Sequence, residues 1–69
     1  MPVINTIDLE GVSEASWGDA AKEALKEAAK TIRQINRMEI IATSTDVEGK
    51  DIVRYRTQVR LFFVMEQDR

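Results

Sequence analysis

The sequence predicts an α+β fold: β-α-β-β, with a three-stranded antiparallel sheet wrapped around one helix. Three observations carry this. Ser16–Ile35 repeats apolar residues at helical spacing, the stretches on either side are rich in β-branched residues, and Glu48-Gly49-Lys50-Asp51 is a turn sequence between two of those stretches. A helix followed by a hairpin is most simply accommodated by laying the sheet across the helix, with the first and second strands flanking the third.

The first strand is expected at Val3–Glu10. Val3, Asn5, Ile7 and Leu9 share one face, and Ile4, Thr6, Asp8 and Glu10 the other. Pro2 suits a strand start, and Gly11 is expected to end the strand. In the helix, Trp17, Ala20, Ala21, Ala24, Leu25, Ala28, Ala29, Ile32 and Ile35 form one apolar stripe over about five turns. Most of it is alanine, so another element can approach closely. Ser16 is the expected N-cap, with Asp19 completing an approximate capping box. Asp19–Lys22, Glu23–Lys26 and Glu27–Lys30 are spaced i,i+3 on a solvated face. Trp17 reads as an anchor that packs the start of the helix on the sheet.

The second strand runs from about Arg37 or Met38 to Val47. Its alternation is untidy: Met38 and Ile40 share one face, whereas Ile41, Thr43, Thr45 and Val47 share the other. Either a bulge switches the faces or both are partly buried. No Gly or Pro separates helix from strand, so the turn is tight and Arg37 stands at that corner. Gly49 is the expected residue at positive φ in the hairpin. The third strand, about Ile52 to Met65, sets Val53, Tyr55, Thr57, Val59, Leu61, Phe63 and Met65 toward the helix. Arg54, Arg56, Gln58, Arg60 and Phe62 lie on the opposite face, and Glu66–Arg69 form a polar tail.

Composition narrows the function. With 69 residues, the chain is expected to form a single domain, residues 1–69, and its core is small. It has no Cys and no His, which excludes disulfides and thiolate metal sites and removes the commonest general base. Oligomerisation is then the most economical source of added stability. No nucleophile–base signature and no phosphate loop is present, so an enzyme is not expected. A net charge of −2 argues against a generic nucleic-acid binder. No apolar run approaches membrane-spanning length, and MPVINTIDLEG lacks the marks of a signal peptide; the expected location is the cytoplasm, with no membrane partner.

Two sets of residues invite chemistry. Arg54, Arg56 and Arg60 could meet an anion, solvent or the carboxylates of a neighbouring subunit. Asp8 with Glu10, or Asp46 with Glu48, place paired carboxylates on one strand face, but no calcium loop is present and no metal ligand is assigned.

Taken together, IDLEGVSEASW, DAAKEALKEAAKT, RMEI, VEGKD and YRTQVRLFF resemble the dodecins, in register from about Val3 to Met65. The resemblance implies a homo-oligomer, a hollow dodecamer, that binds or stores a small-molecule ligand without catalysis. Flavin (FMN or riboflavin) is the family's usual ligand. Flavin-binding members carry a stacking Trp at the helix-to-strand corner, where this chain has Arg37. They carry a Gln after the aromatic residue of the last strand, where Arg56 follows Tyr55. Arg37 and Arg56 are therefore the candidate cofactor-binding residues, Arg37 facing the ligand plane and Arg56 making a polar contact. A branch with SW at the helix start and YR in the last strand lacks the stacking Trp and is associated with calcium. The alternative is thus a shell without flavin that holds calcium or anionic ligands at symmetry contacts. A third reading is a nucleic-acid binder that uses the arginine strand face.

Overall fold

A computed structural model describes residues 3–65. Pro2 and the 66–69 tail lie outside the described residues. The elements are β1 (Val3–Ser13), α1 (Trp17–Ala29), β2 (Ile35–Glu48) and β3 (Asp51–Met65). The strand order is β1-β3-β2, antiparallel throughout. This is the β-α-β-β arrangement the sequence predicts.

β1 pairs with β3 without a break, from Val3 opposite Met65 to Ser13 opposite Tyr55. Gly11 does not end the strand; it lies inside it, opposite Thr57. The helix explains this glycine. A Cβ at position 11 would collide with the Ala20 carbonyl and reach the Ala24 methyl at 3.2 Å. Gly11 and the alanine stripe are therefore two sides of one close contact between backbones.

The Ser16 backbone is extended, and its Oγ accepts the Asp19 N–H at 2.9 Å. The capping box does not close in the reciprocal sense. The Asp19 carboxylate instead accepts a hydrogen bond of 2.7 Å from Ser13 Oγ, which ties the helix start to the end of β1. Of the i,i+3 pairs, Glu27–Lys30 closes, at 3.1 Å between exposed groups.

The helix ends at Ala29, well before the expected Ile35. The N–H groups of Thr31 and Ile32 both donate to the Ala28 carbonyl, at 3.1 and 2.9 Å. β-Branched Thr31 and Ile32 favour such an ending. Gln34, at φ 64°, completes the reversal, while Ile32 and Ile35 still pack on the core from outside the helix. Gln34 thus performs a turn usually given to glycine, in a region that costs an L-residue about 1–2 kcal/mol. Gln34→Gly is expected to raise stability by roughly 1 kcal/mol despite its greater chain entropy, read as a higher urea midpoint at unchanged m-value.

β2 slips register against β3 at three places. The central slip leaves Ile41 without a partner and settles the untidy alternation. Met38 and Ile40 face Leu61 and Val59, and beyond the bulge Thr43 and Thr45 face Thr57 and Tyr55. All four lie on the helix side, so Ile41 does not share a face with Thr43 and Thr45. A single extra residue switches the parity of the strand. A two-residue loop with Gly49 at φ 64° then closes the hairpin between Glu48 and Asp51.

The core is formed by Ala21, Ala24 and Ala28 against Val59 and Leu61, with Ile7, Leu9, Leu25, Ile32, Ile35 and Met38 packed around them. The fully buried Thr57 donates its hydroxyl to the Trp17 carbonyl at 2.8 Å, which satisfies it. Trp17 is the expected anchor. Its ring meets Tyr55 edge-on at 5.2 Å, and Nε1 donates to the Ser44 carbonyl at 2.9 Å.

The protomer is long and thin, 57 × 19 × 12 Å, with a radius of gyration of 14.5 Å. A compact chain of this length would have about 11 Å. The helix packs on β1 and β3 and hardly reaches β2, so that β2 and the tip of the β2–β3 hairpin are left uncovered. Ile40, Ile41, Val47 and Ile52 are 44–60% exposed as a result.

Candidate functional site

The side of the sheet away from the helix carries almost all the charged strand residues, and the ladder sets them in rows. Thr6, Phe62 and Arg37 form one row across β1, β3 and β2. Asp8, Arg60 and Glu39 form the next, then Glu10, Gln58 and Ala42, then Val12, Arg56 and Ser44; Arg54 lies opposite Asp46 beyond them.

The arginines of β3 bond to carboxylates of their own chain. Arg60 holds Asp8 with two hydrogen bonds, of 2.8 and 3.1 Å. Arg56 donates to both oxygens of Asp46, at 2.8 and 3.0 Å, and to Glu10 at 2.8 Å. Arg54 adds a further bond to Asp46 at 2.8 Å. Arg56 thus ties both outer strands to the central one. The cationic stripe that a nucleic-acid reading needs is neutralised strand by strand, and of the carboxylates considered for a cation Asp8, Glu10 and Asp46 are already bonded to guanidinium groups. Among the described residues no group of three or more Asp or Glu is placed to hold a metal ion.

These bonds shift titration. Hydrogen bonds from Arg56 and then Arg54 hold the Asp46 carboxyl far below the usual carboxylate range, against a smaller opposing effect of desolvation. The Arg60 hydrogen bond lowers Asp8 in the same way. The same contacts, to Asp46 first and then Glu10, raise the Arg56 guanidinium. For a depressed carboxyl, the unfolded chain binds the proton more readily. Its stabilisation is complete above the unfolded value near 3.8 and is lost as pH falls toward the folded one. Stability is therefore expected to fall between about pH 4.5 and pH 2, and Asp46→Asn should flatten that fall. Urea midpoints measured at several pH values check this; parallel pH profiles for the two proteins would refute it.

Arg37 is held differently. It lies within β2, past the Gln34 reversal and not at the corner, and its guanidinium carbon stands 3.9 Å from the centroid of the Phe62 ring. This is a cation–π contact. It borders a shallow open concavity lined by Thr6, Asp8, Arg37, Glu39, Arg60 and Phe62. Arg56 is not part of it. Six residues of β3, about 20 Å, separate it from Phe62. The two candidate residues are therefore not brought together within one protomer. Phe62 was visible in the sequence as the aromatic of this face. Its pairing with Arg37 was not, because that depends on register counted through the bulges.

The Dodecin family model matches residues 3–66. Calcium dodecin from Mycobacterium tuberculosis is 31% identical over 65 residues, which cover 94% of this chain and 92% of that protein. Its crystal structure, described as a calcium chelating immunodominant antigen with a novel calcium-binding site, matches with a TM-score of 0.82 at 28% identity, over 97% of this chain and 96% of that one. A point mutant of dodecin from Thermus thermophilus matches with a TM-score of 0.92 at 24% identity, over 99% and 100% of the two chains, a likeness of fold.

Proposed function

Since the chain belongs to the dodecin family, we propose that it is a non-catalytic binding protein whose copies close into a hollow dodecamer in the cytoplasm and hold a flavin, FMN or riboflavin, against Arg37. One observation carries the reading. The Arg37 guanidinium carbon stands over the Phe62 ring, 3.9 Å from its centroid, beside an open concavity, and a guanidinium plane can stack on a planar ring. Arg56, bonded to Asp46 and Glu10, acts in this reading as a strut of the sheet and not as a ligand contact.

Self-assembly is supported by the elongated protomer and by the exposed aliphatic residues of its hairpin, which a neighbouring copy would cover. The experiment is direct. Stoichiometric quenching of FMN fluorescence by the purified protein, together with a dodecamer by light scattering, supports the proposal. Colourless protein that leaves FMN fluorescence unchanged, or a monomer in mild salt, overturns it.

The 31% identity to calcium dodecin favours a second reading, in which the shell holds calcium where copies bring carboxylates together. Calorimetric titration of the flavin-free assembly with calcium chloride tests it; the absence of a saturable heat would remove it.

A further inference from the structure

An arginine alone makes a poor platform for a ring, because ordering its long side chain must overcome a large rotamer entropy. In this chain the ordering is already present. Phe62 belongs to the central strand, is half-buried, and stands between Thr6 and Arg37 in the ladder, so the sheet fixes its ring. The guanidinium lies over that ring, at 3.9 Å. Arg54, Arg56 and Arg60 commit donors to carboxylates, whereas Arg37 is held by an aromatic face. A guanidinium held over a ring and not through its donors keeps its outward side and its N–H groups available to the concavity it borders.

We propose that Phe62 is the positioning residue of this site: it holds the Arg37 guanidinium over its own ring so that the outward side of the guanidinium receives a planar ring with carbonyl or anionic acceptors at its edge. The inference rests on the proposed function and adds to it. Phe62 acts through Arg37 and does not touch the ligand. Ordering Arg37 before binding lowers the entropy lost on binding.

The test is a double-mutant cycle with FMN as the probe, on the assembled protein. Phe62→Leu keeps apolar bulk but removes the aromatic face. It should weaken FMN binding about tenfold where residue 37 is arginine. In an Arg37→Trp background the same change should alter binding by less than about twofold, because a rigid indole needs no ring beneath it. A ligand-free readout accompanies it. Ring current from Phe62 should move the Arg37 Nε–H and δ-methylene protons upfield in NMR spectra of the wild type, and Phe62→Leu should abolish the shift. FMN binding with equal losses in both backgrounds, or with no loss in either, overturns the positioning role alone. An absent upfield shift overturns the Arg37–Phe62 pair without reference to any ligand. Failure of the wild type to bind FMN overturns the proposed function, and this role with it.

Discussion

Gly11→Ala should lower the thermal unfolding midpoint by roughly 10–20 °C. The added methyl would collide with the Ala20 carbonyl, which is helix backbone and cannot rotate away, and would press on the Ala24 methyl at 3.2 Å. To accommodate it, α1 must move off β1, which opens the layer between the alanine stripe and Val59 and Leu61. Overpacking a well-filled core costs about 1–3 kcal/mol, and a backbone obstacle puts this site at the upper end. In a domain of this size each kcal/mol is worth about 4–8 °C. Gly18→Ala is the control. The nearest atom to a Cβ there is Ser16 Oγ at 3.9 Å, and alanine is the better helix former, so the midpoint should stay or rise. Circular dichroism melts of the two variants decide the matter. A Gly11→Ala protein that melts with the wild type would show that the helix is not pinned to β1 by this contact.

Arg37→Trp should tighten FMN binding by about 10–100-fold, and Arg37→Ala should reduce it below detection by fluorescence quenching. Stacking a ring on an aromatic side chain is worth about 1–3 kcal/mol, more than an exposed guanidinium returns. The position suits a stacked group because β2 presents it on the face away from the helix, directly opposite Phe62. Fluorescence titration measures both variants. Equal affinity for the tryptophan, arginine and alanine proteins would mean that the flavin, if bound, does not contact residue 37.

The arginine strand face shows where a sequence reading reaches its limit. That Arg54, Arg56 and Arg60 share a face follows from strand alternation, and the structure agrees. That Asp8 and Glu10 answer them from β1 was within reach, whereas the part of Asp46 was not. Asp8 falls opposite Arg60 once β1 and β3 are aligned, but a two-residue loop at Gly49-Lys50 alone would set Asp46 opposite Val53, and only the slip between Asp46 and Val47 brings it opposite Arg54. The Ile41 bulge was legible only as an alternative, because untidy alternation also fits a strand buried on both faces. The early end of the helix was not legible, since Ile32 and Ile35 continue the apolar spacing and still reach the core from a non-helical segment. In the sequence Gly11 has the look of punctuation, because its reason lies in a helix backbone nine residues away.

By itself, then, the sequence determined the order of elements, the alanine face of α1, the hairpin at Gly49 and the inward set of β3. Each of these depends on interactions among near neighbours or on a repeat period. The tertiary structure alone decided that Arg37 lies on Phe62, that Arg56 is bonded to Asp46 and Glu10, and that Gly11 admits the helix. The physical reason is register. Which side chains meet across a sheet depends on every bulge between them and the turn, and one residue of slip exchanges the two faces.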